Sequence, residues 1–426
     1  MNRVNTKTLD ASGLLDKKTA TVVFLAFAAT YSISALVRAI IATLSPVLSQ
    51  EFALQSRDLG LLAGGYFLGF AAMQLPLGTW LDKHGPKRVI VCFLTSAVLG
   101  CLVFSVATSF NALLLGRVLI GMGVSACLMA PLTGFRRWLG APNLLRANSW
   151  MLMSGSLGML ASTLPVQWLL PLVGWRPLFW ALAGLLFLAM VVIALTVPTW
   201  SLNLTSTADT PSTDTPAGYA DVWKSRYFQK MSPLAFFNYG GLVAVQTLWA
   251  GPWMVKVCGY TALEAATGLF YINAVMLVTF WAWGLVSPHL AKAGWHTDRL
   301  MAWGVPFSLL ILATNIWLGA STGWVGWAAF CAASTVNSLS QPAVGMAFKS
   351  ALAGRALSAF NLIIFAGVFT VQWGIGLLVD AFAGLGLLQI ASFQAAFGVF
   401  LCCCIAAYGY FLHVKVDNSK SMNDMS

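Results

Sequence analysis

Gly78-Thr79-Trp80-Leu81-Asp82-Lys83-His84-Gly85-Pro86-Lys87-Arg88 places five ionisable residues and two glycines between apolar runs of more than twenty residues each. Charge of that density is costly in hydrocarbon, so the stretch belongs at a membrane face. Its glycines permit the chain to reverse within a few residues. Two membrane-length segments joined by so short a charged hairpin set the frame for reading the rest of the chain.

The composition agrees with that frame. Of 426 residues, 59% are hydrophobic and 9% charged, with a mean hydropathy of +0.79. A soluble domain carries roughly a quarter charged residues, so the chain is expected to be an integral membrane protein. Met1 to Ala20 is polar and lacks the short apolar core of a cleaved leader. The net charge of +11 is spread over loops between apolar segments, which points to membrane topology rather than to nucleic acid. The cysteines Cys92, Cys101, Cys127, Cys258, Cys331 and Cys402 to Cys404 show no zinc-site spacing and read as small hydrophobes. His84, His289, His296 and His413 all fall at segment ends. No metal, no cofactor and no paired nucleophile and base are expected, so the chain is not read as an enzyme.

Runs of about twenty apolar residues occur at 21–47, 58–81, 88–108, 111–133, 147–170 and 176–198, and again at 231–255, 263–288, 299–319, 324–347, 356–380 and 391–413. The expected organisation is a tail at 1–20, a six-helix bundle at 21–198, a linker at 199–230, a second six-helix bundle at 231–413 and a tail at 414–426. Ser201 to Gly218, rich in Ser, Thr, Pro and Asp, is solvated linker in character. With the N-terminus inside, nineteen of the 24 Lys and Arg residues fall on the cytoplasmic side, while only Arg57, Arg176 and Lys256 fall outside. The positive-inside rule then places both termini in the cytoplasm and the chain in a plasma (inner) membrane. Arg38 and Arg117 remain within apolar segments.

Gly284-Leu285-Val286-Ser287-Pro288-His289-Leu290-Ala291-Lys292-Ala293-Gly294 follows the eighth run as the charged hairpin follows the second, with Pro288 in place of the aspartate. The chain thus resembles the major facilitator superfamily, and is closest in character to its organic-anion and metabolite symporters. Gly78, Asp82, Lys83, Gly85, Lys87 and Arg88 fit the superfamily's signature loop residue by residue. Gly116-Arg117-Val118-Leu119-Ile120-Gly121 and Gly174-Trp175-Arg176 are similar to two further family patterns. The resemblance implies an all-α fold of twelve transmembrane helices in two six-helix bundles related by pseudo-two-fold symmetry. It further implies a substrate site between the halves and a gating role for the loop on the cytoplasmic side.

Tyr31, Ser34 and Arg38 share one face of the first helix. A guanidinium stays charged and offers a fork of donors suited to a carboxylate. Arg38 resembles the first-helix arginine of the organic-anion symporters, and is expected to bind an anionic substrate; the competing reading is a snorkelling arginine. Arg117 is assigned to coupling or to packing. Tyr66 and Gln74 in the second span, Asn238, Tyr239, Gln246 and Trp249 in the seventh, Asn337 and Gln341 in the tenth, and Asn361 and Gln372 in the eleventh could complete the site. Each serves equally well as an interhelical hydrogen-bonding group.

All acids lie in tails, loops or segment ends. Coupling therefore uses a boundary acid such as Glu264, or a proton carried by the substrate, or does not occur. The expected function is uptake of a small organic anion, a carboxylate or amino-acid-like metabolite, by alternating access with proton coupling in a monomer. The alternative is proton-driven export of a drug or amphiphilic metabolite. The fifth segment reads Ser154-Gly155-Ser156-Leu157-Gly158-Met159, without the Gly-Pro pattern that resemblance to exporters would require.

Overall fold

A computed structural model describes residues 14–139, 141–198 and 218–414. Most of the anticipated linker and most of both tails lie outside the described residues. The described chain is helical throughout and contains no strand. The first half comprises α1 (Lys17–Glu51), α2 (Ser56–Ala72), α3 (Gln74–Ser105), α4 (Phe110–Val124), α5 (Ala126–Trp138), α6 (Ala141–Ala161), α7 (Leu164–Val173) and α8 (Trp175–Thr196). The second comprises α9 (Tyr219–Lys224), α10 (Arg226–Leu234), α11 (Gly240–Ala244), α12 (Ala250–Lys256), α13 (Ala262–Lys292), α14 (Thr297–Leu318), α15 (Gly323–Ser334), α16 (Ser340–Met346), α17 (Ser350–Gly384) and α18 (Gln389–His413).

Among the described residues eight spans are long and apolar enough to cross a bilayer, α4 and α5 together making one of them, and α6 with α7 forms a ninth bent by 44°. The second, seventh and tenth spans are divided into helical pieces too short to cross alone. The seventh carries two π-helical turns, Ala235–Tyr239 and Val245–Trp249. The tenth carries a 3-10 turn at Thr335–Leu339. Backbone irregularity of this kind inside membrane is tolerated where neighbouring groups satisfy the freed amides and carbonyls.

The charged hairpin is tighter than a loop. Helix runs through it on both sides of Gly85, the single residue of α3 with non-helical torsions (φ 74, ψ 164). Pro86 then supplies the pre-set φ of a first helical turn. Gly294, at the matching place in the second half, also has a positive φ of 78, so both hairpins turn on a glycine. Two boundaries differ from expectation. Helix α1 begins at Lys17 and ends at Glu51, because Asp16 caps its first turn through Lys18 N at 3.1 Å and Thr19 N at 3.3 Å. The end of the anticipated linker is helical, as α9 and the start of α10.

Within the first half, Gly174 (φ 75) ends α7, and the two residues after it grip Glu51. Trp175 Nε1 donates to Glu51 at 2.7 Å, and Arg176 donates to Glu51 at 2.6 Å and to the Ala107 carbonyl at 3.0 Å. Trp175 is buried, so it serves as a structural tie among three spans and not as an interface anchor. In the second half Trp253 packs edge to face on Trp327 and Phe397, and Trp327 meets Phe397 at a tilt, with centroids 4.9 to 5.3 Å apart. The large apolar side chains left exposed, such as Trp317 and Leu172, face outward, as a lipid-covered surface requires.

The halves meet mainly along α2 and α17. Opposite the charged hairpin, on what is here termed the far face, Asp380 of α17 accepts hydrogen bonds from Ser56 N at 3.1 Å and Arg57 N at 2.8 Å. Gly60 lies directly against the Gln372 carbonyl, and Gly376 against the Ser56 carbonyl. Gly251 packs on the Ala42 carbonyl of α1, where an added Cβ would stand 3.0 Å away. These contacts hold α2 against α17, and α1 against α12, at the far face.

Candidate functional site

Arg38 lies thirteen residues before the end of α1 at Glu51, about 20 Å at 1.5 Å per residue. That depth is greater than the apolar run alone implied, and it places the guanidinium beyond comfortable reach of the far face. Tyr31, one turn and three residues earlier, and Tyr66 of α2 flank the guanidinium with their phenols. Tyr239 of the seventh span approaches it from the other half. Ser34 lies beside the Cys127 thiol. Tyr31 is itself seated on Gly155, so a residue larger than glycine there would push the ring towards Arg38.

The hydrogen-bond inventory of this cluster is incomplete. Ser34 Oγ, Arg38 Nε and Tyr66 Oη are buried without a hydrogen-bond partner. No carboxylate forms an ion pair with Arg38 or Arg117 among the described residues. A buried donor left unsatisfied costs about 1–3 kcal/mol, more when it is charged. Two such groups, Ser34 Oγ and Tyr66 Oη, beside a guanidinium whose own Nε is unpartnered leave the cluster short of an acceptor with negative charge. Arg38 as a residue is half-buried, while its Nε is enclosed.

Arg117 is different. It is fully buried, yet its Nη1 donates to the Val37 carbonyl at 2.7 Å and its Nη2 to the Arg38 carbonyl at 3.4 Å. Its guanidinium also lies over the Tyr66 ring at 5.0 Å. Gly121, one turn on, packs directly against the Tyr66 carbonyl, which brings α2 and α4 close enough for that stacking. The Gly116–Gly121 motif is therefore a device that fixes Tyr66 and the backbone of Arg38. These contacts tie the Arg117 side chain to the α1 backbone beside Arg38.

The remaining polar candidates divide into two groups. Asn238 is buried and donates to the Cys404 carbonyl at 3.2 Å. Trp249 donates to the Gln372 carbonyl at 3.0 Å, and Gln372 Nε2 to Thr247 at 3.0 Å. Asn337 bonds Ser334 within its own turn at 2.9 Å, and Gln74 bonds the Phe70 carbonyl at 3.2 Å. Asn238, Trp249 and Gln372 thus tie helices together, Asn337 and Gln74 bond within their own spans, and Asn337 Oδ1 and Gln372 Oε1 keep an unused acceptor. Gln246, partly exposed, pairs with Asn273 at 2.8 Å, and Gln341, also partly exposed, with Asn361 at 2.6 Å. Asn273 was not singled out in the sequence; only its partner across 27 residues draws attention to it. Asn238, Tyr239, Gln246 and Trp249 all fall in the two π-turns of the seventh span, a feature frequent at functional sites.

At the hairpin, Gly78 adjoins Ser358 of α17, with an added Cβ 3.6 Å from Ser358 Oγ. Tyr219 of α9 reaches the Leu75 carbonyl at 3.4 Å and has Arg355, Ser358 and Asp82 around it. Asp82, Lys83 and Arg88 are exposed and Lys87 half-buried. Glu264 is exposed, and its carboxylate is occupied by Thr261 N at 2.8 Å and Thr261 Oγ1 at 2.9 Å. It closes the first turn of α13 and reaches nothing in the Arg38 cluster. Among the described residues no group of His, Cys, Asp and Glu is arranged to hold a metal.

Over 79 residues the chain is 37% identical to the nitrate/nitrite transporter NrtP of Picosynechococcus sp., covering 18% of this chain and 14% of that one. Over 110 residues it is 28% identical to the "Probable sulfoacetate transporter SauU" of Cupriavidus necator, covering 26% and 25%. The matched parts thus span a quarter or less of those relatives. In structure the chain is similar to an inward-facing bacterial homologue of the human lysosomal transporter Spinster, with a TM-score of 0.76, 17% identity and coverage of 96% and 98%. It is also similar to the D-xylose-proton symporter, with a TM-score of 0.75, 14% identity and coverage of 94% and 99%. At those identities the likeness speaks to the fold. The family model of the Major Facilitator Superfamily matches residues 27–371, most of the chain, which therefore belongs to that superfamily of membrane transporters.

Proposed function

We propose that this transporter carries a small organic anion, a carboxylate or an amino-acid-like metabolite, by alternating access, in the direction of uptake and coupled to protons. The observation that carries the reading is Arg38: a guanidinium deep in α1, flanked by unpartnered donors and without a carboxylate counterion. An anion would supply the missing charge and acceptors. Tyr239, Gln246 and the Gln341–Asn361 pair would face its uncharged part from the second half. Both relatives with a matched segment are named for anions, which supports the same class.

Neutralising Arg38 favours the occluded state, because a lone charge is costly to enclose. A ligand drives closure only by binding that state better. Among the described residues no acid forms an ion pair with Arg38, so the proton is assigned to the substrate and enters with it. The charged hairpin is assigned to the cytoplasmic face, with Gly78, Asp82 and Lys87 forming the gate there against α17.

The test is thermal unfolding of purified protein against a panel of carboxylates, amino acids and inorganic anions, followed by uptake of the best ligand into proteoliposomes. Stabilisation by an organic anion that Arg38→Ala abolishes supports the proposal. Stabilisation that survives Arg38→Ala, or selective stabilisation by cationic amphiphiles, overturns it. Uptake unaffected by an imposed pH gradient overturns the proton coupling alone.

A further inference from the structure

A groove of about 540 Å³ opens between α13, α14 and α15, on the outer surface of the second half and away from the Arg38 cluster. Trp283, Trp303 and Phe307 wall it, and Gly304, Ala332 and Ala333 form its floor. Trp283 turns its indole N–H to Thr335 at 2.9 Å, so its single polar atom is satisfied away from the groove. Trp303 is 71% exposed and Phe307 60%. The floor is shallow because Gly304 packs on Val336, where a Cβ would stand 2.9 Å from Cγ2. Lining residues run from Thr279 to Leu290 along α13, about 16 Å at 1.5 Å per residue. That matches one leaflet, half of a hydrocarbon core of about 30 Å.

The end of the groove at the charged-hairpin face is basic. Arg299 stacks on Trp295 at 4.4 Å, and Trp295 is itself part of the lining. Lys292 and Arg299 are exposed and form no ion pair among the described residues. Asp298, the acid next to them, is engaged elsewhere, by Lys230 at 2.7 Å and by the Tyr227 hydroxyl at 2.9 Å. The remaining ionisable groups on this turn, His289 and His296, are exposed and add no negative charge.

We infer that this groove is a binding site for one anionic phospholipid, an acyl chain lying against Trp283 and Trp303 and the phosphate at Lys292 and Arg299. An apolar slot one leaflet long ending in uncompensated cations is the complement of such a lipid. A second copy of the chain fits less well. Two copies in one membrane share an orientation, so a two-fold contact here would set the Lys292 and Arg299 rims against each other.

The test is native mass spectrometry of the full chain, purified in detergent, after addition of phosphatidylglycerol or phosphatidylcholine with identical acyl chains. The native chain is expected to retain phosphatidylglycerol at least fivefold better. The pair Lys292→Ala and Arg299→Ala should reduce that retention to the phosphatidylcholine level, and Ala332→Phe, which fills the floor, should reduce both. Equal retention of the two lipids by the native chain overturns the inference, as does retention unchanged by the double alanine variant. A dimer, seen by light scattering, that Ala332→Phe dissociates would overturn it in favour of a second copy. If Ala332→Phe fails to fold, the surface double variant alone decides.

Discussion

Arg117 Nη1 donates to the Val37 carbonyl at 2.7 Å, one residue before Arg38 in α1. One buried arginine thus anchors the backbone from which the other projects. A hydrogen bond from a charged group contributes about 1.5–3 kcal/mol net, and Arg117 adds its stacking on Tyr66. Arg117→Gln is therefore expected to lower stability by roughly 2 kcal/mol, read as a lower midpoint of thermal unfolding without ligand. Its effect on anion binding should be secondary, and smaller than that of any change at Arg38. An Arg117→Gln variant as stable as the native chain would show that the α1–α4 tie is unimportant.

Arg38 and Lys carry the same charge but not the same donor fork. Arg38→Lys should cut anion transport at least tenfold while leaving the fold intact. Retained transport would mean that charge alone suffices at this position, contrary to bidentate recognition.

Tyr66 Oη is buried without a partner, so removing it should not destabilise the empty protein. Tyr66→Phe is expected to leave the unfolding midpoint level or slightly raised, while weakening the anion about fivefold, near 1 kcal/mol. The pair of measurements matters: loss of stability with unchanged affinity would assign the hydroxyl to structure and remove it from the site.

On the far face, Asp380 receives two backbone N–H groups from the first turn of α2, a charge-assisted cap across the two halves worth about 1–2 kcal/mol. Asp380→Asn removes the charge and should shift the protein towards a far-face-open state about five- to thirtyfold. In a cysteine-free background carrying Ser34→Cys, that shift reads as faster labelling by an impermeant thiol reagent applied at the far face. Gly60→Ala should act in the same direction, since its Cβ would collide with the Gln372 carbonyl. Unchanged labelling in both variants would remove the α2–α17 seam as a gate.

Glu264 is exposed and bound to Thr261 in its own helical turn. Glu264→Gln should leave both the rate and the pH dependence of uptake within twofold of native. A lost or shifted pH dependence would return this boundary acid to the coupling mechanism.

Much of the fold could be read in one dimension. Apolar length, the Gly78–Arg88 hairpin and the side on which Lys and Arg accumulate are local properties, and their physics needs only the bilayer. The seventh and tenth spans were legible as apolar runs, but the π-turns at Ala235–Tyr239 and Val245–Trp249 were not, because hydropathy does not record how the backbone bonds within a span. The pocket was partly legible. Arg38 stood out because an ionised side chain in an apolar segment is costly wherever it points. Asn238, Trp249 and Gln372 looked the same as Tyr239 and Gln246 because an amide or indole shows its partner only after folding.

The sequence by itself determined the class of the protein, its charged hairpin and the presence of two cations without acids inside the membrane. Those follow from the free energy of placing each residue in hydrocarbon. Only the tertiary structure decided which cation is occupied and which is available. Arg117 is held by carbonyls 80 and 79 residues away, and Asp380 by amides 324 and 323 residues away. Hydrogen bonding is directional and short-ranged, so polar groups equivalent in sequence become anchors or binding groups according to what the fold sets within hydrogen-bonding distance of them.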